Sequence, residues 1–165
     1  MKKKMLAVFM VFCFCICFVS ITGCNSSESI QQSKYTYNNG EIDIQTQQYI
    51  EQLIENWAAA YKTHDLMLYN DCVSDNLKYR DNSENNVEET KNYFDTVTDC
   101  TITHIDFKSA KKSDNKVYSL PVSYNITYNE KFKEENGLKT GENNINVIMM
   151  IKESSGSKFY IVDIQ

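Results

Sequence analysis

Apolar residues change their spacing twice along this chain. From Met5 to Val19 they are nearly continuous; from Ile50 they recur as Ile50, Leu53, Ile54, Trp57 and Tyr61; after Asp99 they alternate with polar residues to the end. Steps of three and four put one aromatic-rich stripe on a helix of about 46–63, with Glu51, Gln52, Glu55 and Lys62 on the other side. Asp65 then stands as an N-cap before a short apolar turn, Leu66, Met67, Leu68 and Tyr69, that ends near Cys72 and Val73. Residues 74–86 are rich in Asp, Asn and Ser and predict a loop. A third helix is predicted over about 87–97, turning Tyr93 or Phe94 and Val97 inward.

Alternation is cleanest from Tyr118 to Tyr128. Tyr118, Leu120, Val122, Tyr124, Ile126 and Tyr128 take one face of a strand, and Ser119, Pro121, Ser123, Asn125 and Thr127 the other. Pro121 has no N–H to give, which predicts a bulge or an unpaired side there. Further strands are predicted at about 100–108, at about 143–152 with Ile145, Val147, Met149 and Ile151 inward, and at 158–164, with turns at 111–115, 133–141 and 154–157. Helices followed by an antiparallel four-stranded sheet define an α+β class. On the third of these strands Ile148 and Met150 face outward, where a strand buried on one side should be polar. Three covers are open: a second copy of the domain or another partner, residues Ile42 and Ile44 folding back, or none, as a tolerated exposed pair.

Lys2, Lys3 and Lys4 before the apolar run, and Asn25-Ser26-Ser27-Glu28 after it, give the three-part layout of an export signal. Ile21-Thr22-Gly23-Cys24 resembles a bacterial lipobox, in which small residues let a peptidase cut before a cysteine whose sulfur carries the lipid. That resemblance implies a signal peptide over 1–23, a lipidated Cys24 as the mature first residue, and a protein anchored at the cell membrane and facing out of the cytoplasm. An uncleaved helix is the other reading, since Met5 to Thr22 is about as long as a bilayer core needs, and an ordinary signal cut elsewhere is a third. Residues 24–45 are polar and read as a flexible spacer, leaving 46–165 as a single domain.

The 165 residues include one proline and five glycines and are 42% hydrophobic, which excludes collagen-like and wholly disordered classes. Net charge is −5. Removing three lysines with the signal leaves 14 basic against 22 acidic residues, about −8, so nucleic acid and anionic lipid are disfavoured partners and attachment falls to the lipid on Cys24. Cys72 and Cys100 are the cysteines left after Cys24. An oxidising exterior allows them to pair, closing a loop worth roughly 3 to 4 kcal/mol; two buried core thiols are the alternative.

Helices first and a curved sheet afterwards, with Ala58-Ala59-Ala60-Tyr61-Lys62-Thr63-His64-Asp65 closing the first helix and Lys158-Phe159-Tyr160-Ile161-Val162-Asp163-Ile164 at the end, resembles the nuclear transport factor 2-like fold. The resemblance implies a cone that encloses a cavity, here lined by Trp57, Tyr61 and the strand face Tyr118, Leu120, Val122, Tyr124, Ile126 and Tyr128. Enzymes of isomerase and cyclase type share that fold, yet this face offers no carboxylate, and Asp99, Asp106 and Asp163 fall at strand ends or alternate positions. His104 and Asp106 stand two apart on a predicted strand and His64 abuts Asp65; with these two histidines and no ligand-spaced cluster, neither a metal nor any other cofactor is expected. The expected function is non-catalytic binding of a small apolar ligand or peptide. A protein-protein module of a cell-envelope assembly is the alternative, with an isomerase-like enzyme behind it.

Overall fold

The computed structural model describes residues 34–35, 41–77, 91–155 and 158–165. The export signal, the Ile21–Cys24 motif and most of the spacer lie outside the described residues. Helix α1 runs Ile44–Thr63 and buries Gln47, Ile50, Leu53, Ile54, Trp57, Ala58, Ala60 and Tyr61, the stripe that the spacing of three and four requires. It begins before the spacer was expected to end. Asp43 is the N-cap, accepting from the Thr46 amide at 2.8 Å and the Thr46 hydroxyl at 2.7 Å. Beside it Ile42 is 3% exposed, and its carbonyl accepts from Gln47 Nε2 at 2.7 Å. Tyr35 is buried too, so the folded unit takes in part of the stretch read as spacer.

His64 ends α1 in the left-handed region, φ 56°, while its Nε2 lies 2.7 Å from the Val97 carbonyl. Asp65 caps α2, Leu66–Cys72, through the Leu68 amide. Asp43→Ala and Asp65→Ala are each expected to cost about 1 kcal/mol of unfolding free energy in urea titrations at neutral pH. The hydrogen bonds from Thr46 hold the Asp43 carboxyl below its ordinary range. A depressed folded pKa stabilises above the unfolded value of about 3.9, so the loss in Asp43→Ala is full at neutral pH and fades as pH falls through the native titration.

Residues 91–94 are helical and a turn follows. Strands β1 (Val97–Ile105), β2 (Lys111–Lys112), β3 (Val117–Tyr128), β4 (Gly141–Glu153) and β5 (Phe159–Ile164) form one antiparallel sheet ordered β1-β3-β4-β5, with β2 also on β3. The α+β class and the helix-on-sheet cone are therefore as read, with the short β2 added where a turn was expected. Val97, expected to close a helix, instead opens β1. Register shifts around Thr98 and Thr103 make Val97 and Cys100, and then Ile102 and Ile105, face inward at steps of three. Such bulges bend and twist a sheet, and they hide its alternation from the sequence. A third shift, opposite Met150 and Ile151, bends β5.

Pro121 sits where the pairing of β3 passes from β1 to β2. Its carbonyl accepts from the Asp106 amide at 3.0 Å, and in an antiparallel strand the missing N–H points to that same edge, where the ladder is interrupted. At the far end Asn136 (φ 50°) and Gly137 (φ 82°) make a two-residue turn between Glu135 and Leu138, both central positions needing a positive φ.

The inner face of β3 is buried at Tyr118, Leu120, Val122, Ile126 and Tyr128. On the outer face Ile148 is 36% exposed and opposite Pro121. The fold-back cover does not form: Ile42 is inside the domain and Ile44 is 47% exposed. Tyr35 lies instead at β1, its hydroxyl donating to the Ile102 carbonyl at 2.9 Å and its ring edge-on to His104. This covers part of an edge strand whose polar groups would otherwise invite pairing.

Candidate ligand site on the concave face

Trp57 and Tyr61, one helical turn apart on α1, point at the sheet. The Trp57 ring meets Tyr61 at 5.0 Å and Tyr124 of β3 at 5.2 Å, both edge-on. Tyr61 also stacks on Phe94 at 4.7 Å and meets Tyr69 of α2 edge-on at 5.5 Å. A second group continues from it: Tyr128 stacks on Phe132 at 3.9 Å and shares a 2.7 Å hydroxyl contact with Tyr93. Edge-on and offset arrangements are the favoured ones for aromatic pairs, so this end of the cone is filled by its own rings. Tyr93 or Phe94 was expected to turn inward from the third helix, and Phe94 is buried there; Phe132 was not singled out, because it lies outside any helix or strand and no period marks it.

The eight expected lining residues share the inner side but do not meet at one point. Tyr118 lies about 20 Å along β3 from Tyr124 at the ordinary rise per residue. It packs near Phe159 and donates to Glu153 at 3.1 Å, and Lys116 pairs with the same carboxylate. Leu120 and Val122 are sealed between them, and Ile126 is sealed beyond Tyr124. Tyr124 is different. It is only partly buried, as are Ile145 directly opposite it on β4 and Val147 opposite Val122. These three form an incompletely covered apolar patch on the concave side, with Tyr124 against Trp57.

Two polar groups accompany the patch. Trp57 is 2% exposed, and its Nε1–H meets no acceptor among the described residues; a buried donor left unsatisfied costs about 1 to 3 kcal/mol. The Tyr124 hydroxyl has no hydrogen-bond partner among the described residues, and burial pushes its pKa well up, keeping it a neutral phenol.

The expected acids lie elsewhere. Asp99 pairs with Lys62 at 2.7 Å, Asp106 accepts from the Ser109 amide, and Asp163 accepts from Gln165. Asp106 follows the end of β1, so it does not share a strand face with the exposed His104. Among the described residues no group of three or more His, Cys, Asp or Glu is arranged to hold a metal ion.

Cys72 and Cys100 are free and buried, so the bridge is not formed here. The topology separates them: Val73, next to Cys72, bridges Ile161 of β5, whereas Cys100 is on β1 with β3 and β4 between. Desolvation pushes the Cys72 thiol up to about 11 and the Cys100 thiol up to about 12. Both are therefore neutral at pH 8. Iodoacetamide at that pH should leave both unmodified in the folded domain while labelling them readily in urea, by intact mass.

The element order and the strand order define an α+β domain with helices on one open antiparallel sheet, the arrangement that the resemblance to the nuclear transport factor 2-like fold implies. No protein-family model and no curated protein sequence matches the chain. Two solved structures superpose on it: a candidate ketosteroid isomerase from Shewanella frigidimarina, 8% identical over 72% of this chain and 94% of that one with TM-score 0.48, and TsrD from Streptomyces laurentii, 14% identical over 73% and 89% with TM-score 0.40.

Proposed function

We propose that this is an extracytoplasmic lipoprotein, held to the cell membrane through Cys24, whose cone domain binds a small apolar ligand or peptide without catalysing a reaction. The observation that carries it is the patch of Tyr124, Ile145 and Val147, partly uncovered on the face that the fold turns inward, with an unsatisfied indole donor against it. The non-catalytic reading is supported by the placement of the acids, since Glu153 is occupied by Lys116 and Tyr118 and the three aspartates by other partners. Anchoring is supported by the lysines, the apolar run and Ile21-Thr22-Gly23-Cys24. Among the described residues no helix is long and apolar enough to cross a membrane.

Two measurements test the parts. Wild-type protein should fractionate with membranes and begin at a lipid-modified Cys24 by mass, and Cys24→Ala should lose the lipid; an intact precursor amino terminus in the wild type would sink the anchor. Membranes carrying the protein should bind Nile red above a matched control, and Ile145→Arg with Val147→Arg should abolish the excess while the far-ultraviolet circular dichroism stays native. Unchanged dye binding in that folded double variant would remove the site.

The exposed Ile148 favours one second reading, a docking face for a second copy or an envelope partner.

A further inference from the structure

The polar groups beside the patch specify more than apolarity. An indole N–H donates and cannot accept, and the Trp57 Nε1–H is buried with nothing among the described residues to receive it. The Tyr124 ring is 5.2 Å from the Trp57 ring, and its hydroxyl is a second group without a partner among the described residues. Among the described residues no cation faces the pair: Lys62, the basic group nearest by sequence, is engaged by Asp99 at 2.7 Å, and the groups that act on Tyr124 are the neutral Cys100 and Tyr93. A single neutral donor does not compensate the lost hydration of an anion taken out of water.

We propose that the ligand of the cone is a neutral apolar molecule bearing one acceptor oxygen, a carbonyl or an ether, which receives the Trp57 Nε1–H at the Tyr124 end of the concave face. This rests on the reading of that face as a ligand site. A hydrocarbon fits the patch but leaves the indole unsatisfied, and a carboxylate satisfies the indole but loses its hydration with no cation to replace it. The preference is thus for the neutral acceptor over both.

Trp57 is the chain's single tryptophan, so its spectrum reports on this position alone. The full chain in lipid vesicles is dialysed to equilibrium against 2-decalone, decalin and decalin-2-carboxylate, with protein-free vesicles subtracted, and the indole N–H hydrogen-bond band is followed by ultraviolet resonance Raman. The expected result is roughly tenfold tighter binding of the ketone than of the hydrocarbon, a band shift with the ketone alone, and weaker binding of the carboxylate. Trp57→Phe should erase the ketone preference while retaining decalin. Equal binding of ketone and hydrocarbon with no band shift overturns the acceptor assignment even if Trp57→Phe fails to fold, and so does a carboxylate that binds more tightly than the ketone. Failure of every probe to bind overturns the ligand site itself, and the inference with it.

Discussion

Tyr61→Ala is expected to cost about 3 to 5 kcal/mol, a large share of the 5 to 15 kcal/mol that holds a domain of this size. Tyr61 is 8% exposed and joins three elements, touching Trp57 on its own helix, Tyr69 on α2, and Tyr93 and Phe94 before β1. No single neighbour can collapse into the space it leaves, because the surrounding rings are held from different directions. Tyr61→Phe keeps the ring and should lose only about 0.5 to 1.5 kcal/mol with the hydroxyl. Urea unfolding followed by circular dichroism separates the two, and a Tyr61→Ala protein as stable as Tyr61→Phe would contradict the aromatic packing described for this end of the cone.

The other large effect belongs to β4. Ile151 is fully buried between Tyr118 of β3 and Ile161 of β5, so Ile151→Asp places a carboxylate where nothing can solvate it. The expected penalty, on the order of 4 kcal/mol or more, leaves little folded protein. Ile148→Asp, three residues earlier but on the opposite side, should change stability by no more than about 0.5 kcal/mol. If the outer face joins two copies, sedimentation of the wild type shows a concentration-dependent dimer that Ile148→Asp dissolves. A wild type that remains monomeric at high concentration removes that interface. Comparable unfolding by both substitutions would mean that the strand's faces are misassigned.

What the sequence made legible follows from regularity. Ile50 through Tyr61 obey one helical period, and Tyr118 through Tyr128 keep strict alternation because β3 pairs with β4 without a slip. Pro121 could be read as an interruption for the same reason, since its missing donor is a covalent fact. β1 was shifted by three residues because its bulges at Thr98 and Thr103 break the period at both ends. β2 was read as a turn, since two exposed lysines carry no alternation. The cysteine pairing was argued from compartment and loop length, neither of which contains the strand order that sets Cys72 and Cys100 apart. Of the site, Trp57 and Tyr124 were legible as inward aromatics; the lost acceptor of the indole is a property of three-dimensional packing and leaves no trace in spacing.

The hydrogen bond from Tyr35 to the edge of β1 also sets a leash length. If the lipid sits on Cys24, the chain from the anchor to its first described hold on the domain ends at about Tyr35 and not at Gln45, which is about 11 residues and a fully extended reach of no more than about 40 Å. That is half the freedom a spacer running to the helix would have. A domain anchored in that way would be restricted to a thin layer over the bilayer, within easy reach of molecules that partition into the membrane surface, and breaking the hold with Tyr35→Phe would lengthen the leash without touching the cone.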